Sequence, residues 1–225
     1  MPNLPIEIWQ LILNELPLPL QLRLLRVCKR FYHYLKIWDF YHIDNKYKAR
    51  LTDQILKRYR DIKYLDVSDY DCEVTDEGIK HLPLEILNAS GGRCKITDNG
   101  IMGLKLRKLN ASSNRRITNK GVKSLNLYSL DVSCNIAITD EGIKGMNLIK
   151  LNASYNKKIT DKGIRGMKLK TLKASANKNI TINGIKDMNL STLIACDNYS
   201  LSGKGIKELN LKRYIWEWSQ LFDYN

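Results

Sequence analysis

The stretch from Leu106 to Asn126 reads LRKLNASSNRRITNKGVKSLN, and variants of it fill about two-thirds of the chain. Most copies share leucines at fixed positions, an asparagine, an Ile-Thr pair and a glycine. Seven copies begin, in steps of 22, 22, 21, 21, 21 and 21 residues, at Ile62, Leu84, Leu106, Leu127, Leu148, Leu169 and Leu190. An eighth copy begins at Leu211 and decays. A repeat of fixed period predicts a stack of similar units that together bury one continuous core.

Each copy divides into a strand half and a helix half. In the third copy, Leu109 and Ala111 alternate with Asn110 and Ser112, which predicts a strand with its apolar side chains inward. Thr118 then stands where a helix N-cap is expected, and an aspartate follows in most copies, where its charge suits the helix dipole. Glycine costs helix stability, so we expect the recurring glycine to allow close approach between stacked turns.

An asparagine ends the strand half of the later copies. Asn114 recurs as Asn135, Asn156, Asn177 and Asn198. A buried column of this kind satisfies backbone groups that each turn exposes as it leaves the strand. We therefore predict that this column is structural and binds no ligand.

These patterns predict an α/β fold, a leucine-rich-repeat solenoid of about seven 21–22-residue repeats, with parallel strands on the concave side and short helices on the convex side. We assign residues 62–210 to the repeats, 46–61 to a linker and N-terminal cap helix, and 1–45 to a separate module. Leu51–Leu56 looks like the helical half of a repeat without its strand. Residues 211–225 form the expected C-terminal cap, whose apolar residues are Tyr214, Ile215, Trp216, Trp218, Leu221 and Phe222.

The N-terminal module carries more apolar surface than it can cover. From Leu4 to Leu16 the chain reads LPIEIWQLILNEL, and its apolar residues spread over roughly 220° of a helical wheel, about twice what a surface helix needs. Pro17 and Pro19 then break the chain before a second helical stretch from Leu20 to Leu35. A module of about forty residues cannot wrap that much apolar surface. We expect another chain or the solenoid to cover part of it.

The ordered set LP-x-E-I, IL-x-x-L-P and L-x-L-x-x-V-C-K-R-F-Y, over about residues 2–40, resembles an F-box. With the repeats, the resemblance to an F-box/leucine-rich-repeat protein covers nearly the whole chain. The chain departs from the family in having Leu20 after Pro19, where a polar residue usually opens the second helix.

The resemblance implies an all-α, three-helix F-box and the role of a substrate receptor in a cullin-based ubiquitin ligase. The F-box would bind a Skp-family adaptor, and through it a cullin, while the repeats would hold a target protein. The residues that the resemblance assigns to the adaptor contact are Leu4, Pro5, Ile8, Ile12, Leu16, Leu20, Val27, Cys28 and Lys29. Leu24, Phe31 and Leu35 are left to the internal core of the F-box.

The distribution of charge suggests where a target would bind. The chain has a net charge of +14, and the segment between Arg93 and Lys178 alone holds 19 basic and 5 acidic residues. These basic residues recur on the turn after the asparagine and on the helices, which in a solenoid become two ridges. One hypothesis is an acidic or phosphorylated target on the turn side. The candidate target contacts are Asn110, Ser112, Arg115, Arg116, Asn152, Ser154, Lys157, Lys158 and Lys173.

The basic residues and the Ser and Asn residues of the strands also have explanations that involve no target. Solvated lysines also keep a repeat protein soluble, and a uniform wall of Ser and Asn on the strands also follows from recent duplication. Nucleic acid is a possible partner for a basic chain, but aromatic residues are scarce in the basic rows, which disfavours base stacking. A third hypothesis is a leucine-rich-repeat scaffold whose F-box has lost its adaptor.

Other functional classes find little support in the sequence. The three histidines have no metal-ligand spacing, there is no phosphate-binding loop, and the acidic residues occupy cap positions. We therefore expect no enzyme activity, no metal and no cofactor. The five cysteines form no C-x-x-C pair, and no signal peptide or membrane span is evident. We expect a protein of the cytoplasm, or of the nucleus, with reduced thiols and no membrane partner.

Overall fold

The computed structural model describes residues 4–41, 45–202 and 204–217. Three helices come first: α1 (Ile6–Glu15), α2 (Leu18–Leu25) and α3 (Lys29–Tyr34). Their shared core contains Leu13, Leu25, Phe31 and Leu35, all buried. The Trp9 ring lies 4.7 Å from the Phe31 ring, centroid to centroid, and fixes α1 against α3.

The predicted second helical stretch is two helices. Helix α2 begins at Leu18, with Pro17 as the N-cap and Pro19 in the first turn, where proline is tolerated. The chain is fully extended at Cys28, and α3 starts afterwards. In one straight helix, Leu25 and Phe31 would point about 120° apart. The break lets both side chains enter the same core.

The rest of the chain is the predicted solenoid of parallel strands and short helices. Within the described residues, nine parallel strands pair in sequence order. They are β1 (Asp39–Phe40), β2 (Tyr64–Asp66), β3 (Ile86–Asn88), β4 (Lys108–Asn110), β5 (Ser129–Asp131), β6 (Lys150–Asn152), β7 (Thr171–Lys173), β8 (Thr192–Ile194) and β9 (Arg213–Ile215).

In the described ranges, short helices connect successive strands: two lie between β1 and β2, and one α-helix lies between each later pair of neighbouring strands. These helices are α4 (Asn45–Lys48), α5 (Asp53–Leu56), α6 (Asp76–Ile79), α7 (Asp98–Ile101), α8 (Asn119–Lys123), α9 (Asp140–Ile143), α10 (Asp161–Ile164), α11 (Ile182–Ile185) and α12 (Lys204–Lys207). A 3-10 helix covers Tyr199–Leu201. Each helix among those described is too short or too polar to cross a lipid bilayer.

The sheet extends past the seven repeats at both ends. The half-repeat Leu51–Leu56 does have a strand, because β1 lies before it and pairs with β2. At the other end, β9 belongs to the eighth, decaying copy and pairs with β8. The Tyr214 hydroxyl donates a 2.6 Å hydrogen bond to the carbonyl oxygen of Leu201 and closes this end. Of the expected cap residues, Trp218, Leu221 and Phe222 lie outside the described residues.

The asparagine column is structural, as predicted. Asn156 is fully buried, and its Nδ2 donates to the carbonyl oxygens of Val132, Asn135 and Ile138 at 3.2, 2.7 and 3.1 Å. Its Oδ1 accepts from the backbone N–H of Lys158 at 3.0 Å. One side chain therefore links two successive turns, and the column holds the turn side of the solenoid in register.

A second row of hydrogen bonds runs along the convex side. The predicted threonine caps are present, and Thr160 Oγ1 accepts from Lys162 N at 3.1 Å. The same threonine also bonds the preceding repeat: its N–H and its hydroxyl each donate 2.7 Å bonds to the carboxylate of Asp140. The aspartate thus serves as an inter-repeat acceptor as well as a first-turn charge. Asn119 replaces it in one repeat and bonds Thr139 with both amide atoms.

The recurring glycine lies directly beneath this row. A Cβ added at Gly163 would lie 2.9 Å from Asp140 Cγ and 3.0 Å from Asp140 Cα, inside the normal contact distance. The expected close approach between stacked turns is therefore confirmed.

Candidate protein-binding surfaces

The F-box leaves an apolar stripe in water. Ile8, Leu11 and Ile12 share about 100° of the α1 wheel and are 40%, 62% and 38% exposed. The opposite side of the helix carries Trp9 and Leu13, which pack into the core. Apolar surface of this kind, contiguous and open, is typical of a protein contact.

Every residue assigned by resemblance to the adaptor contact lies at the surface or close to it. None of the nine is buried: Leu4, Leu16 and Cys28 are half-buried, and the exposed ones are Pro5, Ile8, Ile12, Leu20, Val27 and Lys29. The residues left to the internal core behave differently, since Phe31 and Leu35 are buried and Leu24 packs against that core. The two groups thus differ in burial, except that Cys28 packs against the core as Leu24 does; the adaptor contact itself stays a prediction.

Sequence reasoning missed two exposed apolar residues of the F-box. Leu11 is the most exposed residue of the α1 stripe, and Tyr34 lies exposed at the end of α3. The helical wheel places Leu11 about 20° from Leu4 and about 60° from Ile8, on the same face, and that signal could have added it to the adaptor set. Among the polar residues of α1, Gln10 ties the helix to the chain after α3: its amide group bonds the backbone N–H and carbonyl of Lys36 at 2.8 and 2.9 Å.

Some of the Ser, Asn and Asp side chains on the concave face of the strands are covered or bonded to each other and are not open to a partner. At the N-terminal end, Lys48 Nζ reaches over the strands and pairs with the buried Asp66 at 2.6 Å. Farther along, Ser154 is buried and its hydroxyl accepts from Ser175 N at 3.2 Å. Ser154 therefore connects two repeats, and we leave it out of the surface available to a target.

Other predicted concave residues remain accessible. Asn110, Ser112 and Asn152 are half-buried, and Lys173 is exposed. Asn152 Nδ2 donates a 2.7 Å bond to Asp131, so part of its capacity is used within the wall. The sequence analysis did not include Lys150, an exposed residue at the first position of β6.

The turn edge is the row of residues that flank the asparagine column on the outer side. Arg115, Arg116, Lys157 and Lys158 are exposed there, and no carboxylate in the described ranges forms a salt bridge with any of them. The two basic pairs lie two repeats apart. Between them, the intervening repeat presents Ile136, which is 48% exposed.

Exposed tyrosines also lie along this edge, and one of them, Tyr155, falls within the basic segment between Arg93 and Lys178. Tyr155 is 47% exposed, and Tyr70 and Tyr199 are exposed as well. The Arg93 guanidinium lies 3.4 Å from the centroid of the Tyr70 ring, a cation–π contact. Tyrosine and arginine side chains side by side are typical of residues that dominate protein interfaces.

The basic residues of the helices form a separate ridge. Its members are exposed on the convex side, namely Lys123, Lys144, Arg165, Lys186 and Lys207. Glu141 lies 3.9 Å from Lys123 Nζ and partly offsets its charge. The same row holds Met102, which is 42% exposed, one repeat before Lys123, but none of the five ridge residues lies beside an exposed tyrosine of the turn edge.

The cysteines and acidic residues form no reactive cluster in the part of the chain that the structure describes. No group of three or more His, Cys, Asp or Glu residues there could hold a metal ion. All five cysteines are free thiols, and burial raises the pKa of Cys94 to about 11, which keeps it protonated at neutral pH.

Comparisons with known proteins bear on the architecture of the chain. A family model described as the F-box domain matches residues 1–43, and one described as a leucine-rich repeat matches residues 123–146. No curated protein matches the chain. The chain thus has the architecture of an F-box/leucine-rich-repeat protein.

One similar solved structure is the "Crystal structure of Rad7 and Elc1 complex in yeast". The TM-score is 0.51 at 17% sequence identity, over 79% of this chain and 53% of that chain. The chain therefore spans about half the length of that protein, and the likeness at this identity concerns the fold alone.

Proposed function

We propose that the chain is the substrate-recognition subunit of a cullin-type ubiquitin ligase, with the F-box bound to a Skp-family adaptor and the repeats bound to a target. The observation that carries the proposal is the open apolar stripe Ile8, Leu11 and Ile12 on a module attached to a closed solenoid. The F-box match at residues 1–43 supports it. The similar Rad7 structure is itself a complex with a second protein, Elc1.

The adaptor contact is tested by copurification with a Skp-family adaptor. Ile8→Asp with Ile12→Asp places two charges in the apolar stripe, and we expect adaptor binding to fall at least 100-fold. The matched control, Met102→Asp with Ile149→Asp, alters two exposed apolar residues of the repeats and should bind normally. Equal binding by both variants would rule out the stripe as the docking site.

For the target, we propose an acidic or phosphorylated segment bound along the turn edge. The asparagine column holds neighbouring turns at about the spacing of adjacent strands, so Arg115–Arg116 and Lys157–Lys158 lie about 10 Å apart. An extended peptide covers that distance in about three residues. Two acidic or phosphorylated residues three positions apart would meet both basic pairs, and an apolar residue between them would pack on Ile136 and Tyr155.

Charge reversal tests the target surface. Replacing Arg115, Arg116, Lys157 and Lys158 by Glu should abolish target capture from cell extract while leaving adaptor binding intact. The control replaces an equal number of basic residues on the helix ridge, at Lys123, Lys144, Arg165 and Lys186. Undiminished capture by the turn-edge variant would exclude this surface as the docking site.

Nucleic acid is the second candidate partner, because Tyr70, Tyr155 and Tyr199 lie among the basic residues of the turn edge and offer stacking surfaces. Retention of the chain by single-stranded nucleic acid, lost steeply with rising salt, would favour this function. Absence of any adaptor in copurification would instead favour a scaffold role.

We propose that the protein has no chemistry of its own and acts by holding two proteins close together. The aspartates of the helix starts support this, since their carboxylates are occupied as acceptors between repeats. The free, mostly buried thiols support a reducing compartment, the cytoplasm or the nucleus. A tagged full-length chain, followed by microscopy and fractionation, tests the location.

A further inference from the structure

A cleft of about 410 Å³ lies where the F-box meets the first turn of the solenoid. Helix α2 forms one wall, and the segment from α4 to α5 forms the other. The floor is apolar: Phe40 and Leu51 are buried, and Leu22 and Tyr59 are half-buried. The volume and the apolar floor are typical of small-molecule sites.

Each charged side chain that lines the cleft is an arginine. Arg23 and Arg26 come from the α2 wall, and Arg50 and Arg58 from the opposite wall. No salt bridge joins any of the four to a carboxylate within the described ranges. Guanidinium groups stay charged at all accessible pH values, so their mutual repulsion is relieved when an anion binds among them.

We propose that this cleft binds a small amphipathic anion, with its phosphate or carboxylate head between the arginines and its apolar tail on the floor at Leu22 and Phe40. The planar guanidinium matches both head groups through paired hydrogen bonds. Because the two walls belong to the F-box and to the solenoid, a bound ligand fixes the F-box relative to the repeats. This inference does not rest on the identity of either protein partner.

Calorimetric titration of the full-length chain tests the site, with octyl phosphate as the probe. We expect one molecule bound per chain, at least tenfold more tightly than inorganic phosphate, and no binding of octyltrimethylammonium. Arg23→Gln with Arg58→Gln should weaken binding of octyl phosphate tenfold or more. All four arginines are exposed, so these changes should leave the fold intact, which the unliganded melting temperature checks.

Two control variants keep the test specific. Arg165→Gln with Lys186→Gln removes the same charge from the helix ridge. Ile8→Asp with Ile12→Asp disrupts the α1 stripe, an apolar surface of the F-box on which an alkyl chain could also lie. Both should bind octyl phosphate like the unaltered chain. The proposal is overturned if the cleft variant and the helix-ridge variant lose the same affinity for octyl phosphate. It is also overturned if octyl phosphate binds no more tightly than inorganic phosphate, or if the α1 variant abolishes binding.

Discussion

In the repeats, Leu151 is 1% exposed and packs between neighbouring turns, whereas Leu11 in the F-box is 62% exposed. Both are leucines in regular secondary structure, and the difference lies in what surrounds them. Each turn of the solenoid is covered by the next turn, so apolar surface is buried by repetition. Helix α1 has a core on one side only. The comparison shows that repetition buries the strand leucines of the solenoid, while helix α1 of the F-box leaves Leu11 in water.

The solenoid and the F-box also differ in how their polar groups are hydrogen-bonded. In the repeats, the asparagine column and the aspartate–threonine bonds satisfy buried donors and acceptors across successive turns. No buried side-chain nitrogen or oxygen in the described part of the chain lacks a partner. In the F-box, by contrast, the three helix N-caps Pro5, Pro17 and Cys28 make no side-chain cap bond. The F-box therefore depends on packing more than on hydrogen-bond rows.

The largest effect should come from breaking the asparagine column. Asn156→Ala removes three donated bonds and one accepted bond from a buried site. Buried groups left without a partner cost about 1–3 kcal/mol each, and we expect a loss of about 4 kcal/mol in urea unfolding followed by circular dichroism. The exposed Asn147→Ala is the control and should change stability by less than about 0.5 kcal/mol. A loss below about 1 kcal/mol at Asn156 would mean that the column is dispensable.

The two leucines give the most direct test of the comparison. Leu151→Ala leaves a cavity in the core and should lower the free energy of unfolding by about 3 kcal/mol. Leu11→Ala should change it by less than about 0.5 kcal/mol, since its side chain is already in water. Equal losses in dilute protein would show that the α1 stripe is covered in solution, and the contrast between the two regions would disappear.

Much of the solenoid could be predicted because its determinants are local. The leucine spacing, the threonine caps and the asparagine column each act within one repeat or between adjacent repeats at fixed spacing. The exposed stripe of the F-box also follows from a helical wheel. Leu11 was missed because the adaptor set came from resemblance, although the wheel alone places it on the same face as Leu4 and Ile8.

The features that escaped prediction depend on contacts distant in sequence. The second role of Asp140 becomes visible only when Thr160, 20 positions later, is stacked beside it. The covering of Asp66 by Lys48 depends on the path of the linker over the strands. The tyrosines of the turn edge stand at different positions of different repeats, so only the stacked structure brings them onto one edge, although Tyr155 already lies beside Lys157 and Lys158 in the sequence.

Alkaline pH should reveal the burial of the solenoid thiols. The pKa of Cys94 is raised to about 11 from 9.0 because burial disfavours the thiolate. Below pH 9 the thiol is protonated in both the folded and the unfolded chain. Between pH 9 and 11 the unfolded chain releases the proton first, so stability falls, by about 2 kcal/mol for this group. Urea unfolding at pH 8, 9, 10 and 11 measures the fall. Cys94→Ala should show a shallower decline, and an identical decline would assign the effect to other groups.

The smallest effect concerns the glycine beneath the aspartate row. Gly→Ala within a helix normally stabilises by about 1 kcal/mol, but at Gly163 we expect a loss of about 1.5 kcal/mol, because the new Cβ meets the Asp140 carboxylate. Asp140→Ala removes that carboxylate, so the double variant should lose about 1 kcal/mol less than the two single losses combined. Gly166→Ala is the control: its backbone has φ +77 and open space around it, so its cost is conformational and should add to that of Asp140→Ala. If the losses of Gly163→Ala and Asp140→Ala also add, the two repeats must separate easily at this point. Close stacking would then not be the reason for the glycine at this position.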